Sequence, residues 1–219
     1  MTDLSALNGP AVPPASGAAP KQIVLLLHGV GADGNDLIGL APHFQQALPD
    51  AVFIAPDAPF PCDMAPFGRQ WFSLQDRSEP ARLAGTQSSA PILDAFIDAT
   101  LARFNLGEDK LALFGFSQGT MMSLYVGLRR EKALAGILAY SGILIGPDLL
   151  AREIKSRPPV LLVHGDADAV VPYAYMGKAL ETLRQNGLDV EAHARPGLGH
   201  GIDPEGIDLG RRFLKRIFA

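Results

Sequence analysis

The chain has one cysteine, Cys62, one tryptophan, Trp71, and no surplus of positive charge. A lone cysteine cannot close an intramolecular disulfide or supply a cysteine-rich zinc site. Lys and Arg number 19 against 23 Asp and Glu, giving a formal net charge of −4 at pH 7. With no basic excess to neutralise phosphates, nucleic acid is not an expected partner. The longest strongly apolar run, residues 23–27, is far short of a bilayer span, so no stable membrane insertion is expected. Residues 1–20 hold no Lys or Arg and no apolar stretch resembling a signal peptide. The expected location is the cytoplasm.

What is present is apolar residues in a regular rhythm. A chain of 219 residues with 47% hydrophobic side chains can bury a large core without staples. Residues 1–20 are rich in Pro, Ala and Gly and read as an arm or an irregular edge segment. Residues 21–219 read as one domain. Short apolar runs at 23–27, 51–55, 111–114, 134–140 and 160–163 predict buried strands. A sixth, at 190–194, alternates and suits a position near an edge. Between them, helical patterns fall at 36–47, 88–104, 117–130, 147–153, 173–186 and 205–218. Continuous apolar strands alternating with helices predict an α/β fold, a mostly parallel central sheet covered on both faces. Residues 60–86 break the rhythm with three prolines, Trp71 and Phe72, and read as a long functional loop.

The chemistry is concentrated at four places. Gly115-Phe116-Ser117-Gln118-Gly119 follows a predicted strand and opens a predicted helix. In that context the pattern reads as a nucleophile elbow, with the Ser117 oxygen held at a helix N-terminus. A serine hydroxyl needs a general base, and the base needs an acid to orient it. Of the downstream histidines, His164 ends a strand and reads as packing beneath a loop, while His193 lies inside the short strand. His200 sits in Pro196-Gly197-Leu198-Gly199-His200-Gly201, a loop supple enough to carry an imidazole over the sheet edge, and is the expected base. His164-Gly165-Asp166-Ala167-Asp168 offers two carboxylates. Asp166, in the turn itself, reads as a loop-shaping acceptor, and Asp168 as the acid. Two amides, of Gln118 and of Val30 in His28-Gly29-Val30-Gly31-Ala32-Asp33-Gly34, are the expected oxyanion hole. This loop lacks the endings of a phosphate-binding loop, and no ligand set completes a metal site around His164. No metal and no cofactor is expected.

Taken together, these motifs resemble the phospholipase/carboxylesterase family of α/β-hydrolases, which includes acyl-protein thioesterases and small bacterial carboxylesterases. The resemblance runs from about residue 9 to the end, and Gly68-Arg69-Gln70-Trp71-Phe72-Ser73-Leu74 looks like the bacterial branch. It implies the α/β-hydrolase fold without a separate cap domain, and Ser117, Asp168 and His200 as triad. It also implies Val30 and Gln118 as oxyanion donors, an acyl pocket walled by the Trp71–Phe72 segment, and often a homodimer. Leu74 and Val170 are further candidates for that pocket. The implied partner is a small-molecule ester or thioester. Its expected activity is hydrolysis of small to medium acyl esters through an acyl-enzyme. The alternative is long-chain acyl-protein thioesterase or lysophospholipase action, and a non-catalytic small-ligand binder of the same fold is the third reading.

Overall fold

A computed structural model of the chain describes residues 7–219. The expected arm at 1–20 falls partly on residues 1–6, which lie outside the described residues. Its remainder contributes a two-residue strand, β1 (Ala11–Val12), paired antiparallel with Ile54 and Phe53 at one edge of the main sheet. The other strands are β2 (Gln22–Leu27), β3 (Ala51–Ile54), β6 (Leu111–Phe116), β7 (Gly136–Tyr140), β8 (Val160–Gly165) and β9 (Val190–Arg195). Their order is β1-β3-β2-β6-β7-β8-β9, and every pair except β1·β3 is parallel. The alternating strand β9 lies at the opposite edge.

The strands read as continuous apolar runs because both faces are covered. Side-chain alternation divides each between two cores. Ile23, Leu25, Leu27, Leu111 and Leu113 face α3 (Glu79–Phe104) and α4 (Gln118–Gly127). Val24, Leu26, Ala112, Phe114, Leu138 and Tyr140 face the other way. They meet α1 (Gly34–Ile38), α2 (Ala41–Gln45) and α7 (Pro204–Ile217). Further along the first face, Ile137, Ala139, Val160 and Leu162 pack on α5 (Pro147–Glu153) and α6 (Ala174–Gln185). Each large side chain buried this way stabilises the fold by roughly 1.5–3 kcal/mol.

Three expectations need correction. The helix expected at 36–47 is two short ones, because Pro42 in the first turn of α2 has no N–H to continue α1. Helix α3 begins at Glu79 rather than 88, so the long loop ends at Ser78. Ser78 caps it by accepting from the Ala81 amide, Pro80 fits the first turn, and Pro91 is carried inside. The loop itself folds into a hairpin of β4 (Phe60–Pro61) and β5 (Arg69–Gln70). Among the described residues no helix is long and apolar enough to cross a membrane.

The tightest approach in the fold is between α4 and the sheet. A Cβ added to Gly119 would overlap the Leu27 carbonyl oxygen of β2. Gly119→Ala should therefore lower stability by about 3 kcal/mol or more, read as a drop in the urea midpoint with little change in slope.

Candidate active site

Strand β6 turns into α4 within one residue. Ser117 has φ 54° and ψ −114°, a conformation that costs a non-glycine residue on the order of 1–3 kcal/mol. Several bonds hold it there. The Ser117 N–H donates to the Tyr140 carbonyl at 2.9 Å, and the Thr120 hydroxyl lies 2.7 Å from the carbonyls of Gly115 and Tyr140. The turn raises the serine oxygen at the N-terminus of α4, where free amides and the helix dipole favour negative charge.

His200 and Asp168 come to this oxygen from two other strand ends. His200 Nε2 lies 3.0 Å from Ser117 Oγ, and His200 Nδ1 lies 2.7 Å from Asp168 Oδ2. A carboxylate only accepts, so Nδ1 carries the proton and donates it. In the neutral ring Nε2 then has a free lone pair facing the serine hydroxyl. Phe116 packs against the imidazole with ring centroids 4.9 Å apart. The Asp168 side chain is fully buried, with Oδ1 accepting from the Val170 and Val171 amides, each at 2.8 Å. Burial pushes its carboxyl up. The His200 donor and the two amides outweigh that and hold it below the ordinary carboxylate value. These hydrogen bonds favour its charged form.

The loop bearing His200 is tied at its base. Arg195 donates to Asp203 through Nε at 3.1 Å and an Nη at 3.0 Å, and Asp203 also caps α7 by accepting from the Gly206 amide. Asp166 accepts from the Gly197 amide at 2.7 Å, so it shapes this loop rather than touching the imidazole. A Cβ on Gly165 would overlap the Leu198 carbonyl, so the loops bearing Asp168 and His200 pack backbone to backbone.

On the other side of the serine lies the loop after β2. The His28 ring accepts from the Ala58 amide at Nε2, 2.9 Å, which puts its proton on Nδ1, 2.7 Å from the Gly29 carbonyl. Burial lowers its basicity, in keeping with this neutral, structural role. The Gly31 amide donates to the Arg69 carbonyl and the Arg69 amide to the Ala32 carbonyl, so the hairpin braces the loop. Among the described residues neither the Val30 nor the Gln118 amide donates to another protein group.

The expected pocket residues are placed less uniformly. Trp71 is wholly buried, its indole N–H donating to the His28 carbonyl at 3.1 Å, so its side chain reaches no open space. Phe72 and Leu74 are buried in the same core. Val170 is 57% exposed, beside the acid loop. Sequence reasoning missed what holds this segment. The Gln118 side chain accepts from the Trp71 amide at 2.9 Å and donates to the Phe72 carbonyl at 2.8 Å, and Ser89 Oγ donates to the Trp71 carbonyl. It also missed the exposed apolar side chains: Phe60, Met64 and Phe67 on the hairpin, and Val170 and Tyr173 in the stretch after Asp168. Among the described residues no group of three or more His, Cys, Asp or Glu could hold a metal ion.

The family model for phospholipase/carboxylesterase matches residues 9–218. The crystal structure of esterase PE8 superposes with a TM-score of 0.93 at 46% identity, covering 96% of this chain and 99% of that one. Esterase YpfH of Escherichia coli (strain K12) is 31% identical over 196 residues, covering 89% of this chain and 82% of its own length. Acyl-protein thioesterase 1 homolog 1 of Dictyostelium discoideum is 28% identical over 204 residues, covering 88% and 89%.

Two outcomes follow from this geometry. Gln118→Leu strands a buried N–H and a buried C=O, and should cost about 3 kcal/mol in urea unfolding. Asp203→Asn keeps an acceptor for the Gly206 amide but loses the ion pair with Arg195. The Arg195 guanidinium holds the Asp203 carboxyl below its ordinary value. Its stabilisation is therefore present above the unfolded carboxylate value and fades as pH falls through the folded one. The wild-type advantage in Tm over Asp203→Asn should accordingly be full at neutral pH and vanish in acid.

Proposed function

The chain belongs to the phospholipase/carboxylesterase family and is a carboxylic ester hydrolase, and from that premise we propose that it is a serine carboxylesterase acting on small to medium acyl esters. The observation that carries this reading is the unbroken hydrogen-bonded chain from Asp168 through His200 to Ser117. In the proposed reaction, His200 Nε2 takes the hydroxyl proton as Ser117 Oγ attacks the acyl carbon. The carbonyl π pair moves to oxygen, where the Val30 and Gln118 amides receive the oxyanion. Its collapse breaks the bond to the leaving alkoxide, which collects the proton from His200. Water then repeats the sequence on the acyl-enzyme, releasing the acid and restoring Ser117. Asp168 keeps the imidazole in the Nδ1–H tautomer and stabilises its charged form. The catalytic unit is the domain of residues 21–219, working in the cytoplasm on a small-molecule ester or thioester, without a metal or cofactor.

For the acyl pocket, the reading assigns Trp71 and Phe72 to its supporting wall and Leu74 and Val170 to its margin. A second reading, thioesterase or lysophospholipase action on long acyl chains, is favoured by the exposed apolar side chains Phe60, Met64, Phe67 and Val170.

Ser117→Ala should lower kcat for a short p-nitrophenyl ester by roughly 10⁴-fold or more with folding intact. An undiminished rate would overturn the reading. Asp168→Asn should cost on the order of 10³–10⁴-fold and Asp166→Asn far less. Turnover measured from acetyl to palmitoyl esters and thioesters decides between the two acyl classes.

A further inference from the structure

The acid of the proposed triad has a second imidazole beside it. His164 is the penultimate residue of β8, its side chain only 2% exposed. Its Nε2 lies 2.8 Å from the Val171 carbonyl and 3.3 Å from Asp168 Oδ2, the same oxygen that receives the His200 proton. Both neighbours are pure acceptors, so Nε2 carries a hydrogen; it donates this to the Val171 carbonyl, and Asp168 Oδ2 lies in contact beside it. Tyr173 closes against the ring edge-on, with centroids 6.1 Å apart.

The Asp168 carboxylate accepts three hydrogen bonds, from the Val170 and Val171 amides at Oδ1 and from His200 at Oδ2, with His164 in contact beside Oδ2. The side chain has no exposed surface, so no bulk water replaces a donor that is removed. Two of the three donors belong to the returning loop, so the carboxylate is only as fixed as Val170 and Val171 are. His164 donates to the Val171 carbonyl and so ties the return of this loop to the strand from which the loop leaves.

Resting on the hydrolase reading above, we propose that His164 is a positioning residue for the reaction: its Nε2–H holds the Val171 carbonyl and, through the loop whose amides carry Asp168, aims that carboxylate at His200. A purely structural histidine at this place would affect stability alone. A positioning one affects the bond between Asp168 and His200, and with it kcat rather than KM.

The test uses the full chain with His164→Phe, which keeps a ring but removes the N–H, and His164→Gln, whose amide restores a donor. Ser117→Ala is measured alongside. Expected for His164→Phe are a roughly tenfold or greater loss of kcat, KM within about twofold, and loss or broadening of the low-field proton resonance of His200 Nδ1–H. His164→Gln should recover most of the rate and the resonance. Wild-type kcat and resonance in His164→Phe, or equal damage in both variants, would overturn the proposal. If His164→Phe does not fold, His164→Asn takes its place. Its shorter amide falls short of the Val171 carbonyl, so a rate equal to that of His164→Gln overturns the proposal and a lower one supports it. A flat His164 result beside a dead Ser117→Ala refutes this inference alone. An active Ser117→Ala refutes the functional reading together with it.

Discussion

The contact on which the site depends is the one between the backbone of α4 and the carbonyl of Leu27. Only a glycine at 119 lets the helix start that close to the central strands. Because the helix starts there, Ser117 must turn the chain in a strained conformation, and its oxygen is left standing above the sheet. The same closeness sets Gln118 against the hairpin segment, where its side chain replaces the backbone partners that Trp71 and Phe72 lack. Strain at the serine is tolerated because the bonds of Ser117, Thr120 and Tyr140 over-determine the turn.

Around that fixed point, three loops are positioned by hydrogen bonds more than by apolar packing. His28 ties the loop after β2 to Ala58, Asp168 folds its own loop by accepting from Val170 and Val171, and the Arg195–Asp203 pair closes the loop that carries His200. Three of the five histidines have a proton position dictated by their neighbours: His28 and His200 at Nδ1, His164 at Nε2. Three buried or half-buried imidazoles thus occupy defined tautomers in one edge of the molecule, and only His200 turns a free lone pair toward a hydroxyl.

Much of this was legible in the sequence because its signals are local. Period and length marked the strands, since parallel strands covered on both faces are apolar throughout. Ser117 was marked by its flanking glycines, His200 by a glycine-rich loop, and Asp168 by its distance past a strand end. The start of α3 was hidden because Pro80 read as part of the loop, although a first-turn proline fits a helix and Ser78 supplies the cap. The family resemblance puts Trp71 in the wall of a pocket, and the fold adds that its indole N–H donates to the His28 carbonyl. The Gln118 clamp and the His164 contact with Asp168 join residues through side-chain direction, which spacing along the chain does not encode.

The strand order has a consequence for how activity arises during folding. Ser117 and His200 are separated by 83 positions, and β6, which leads into the serine, meets β9, which precedes the histidine, only through β7 and β8. Contacts of such long sequence separation carry a high loop-closure cost and slow folding. On the proposed reading no part of the chain holds a complete triad before the sheet has closed through β9, so turnover reports complete folding.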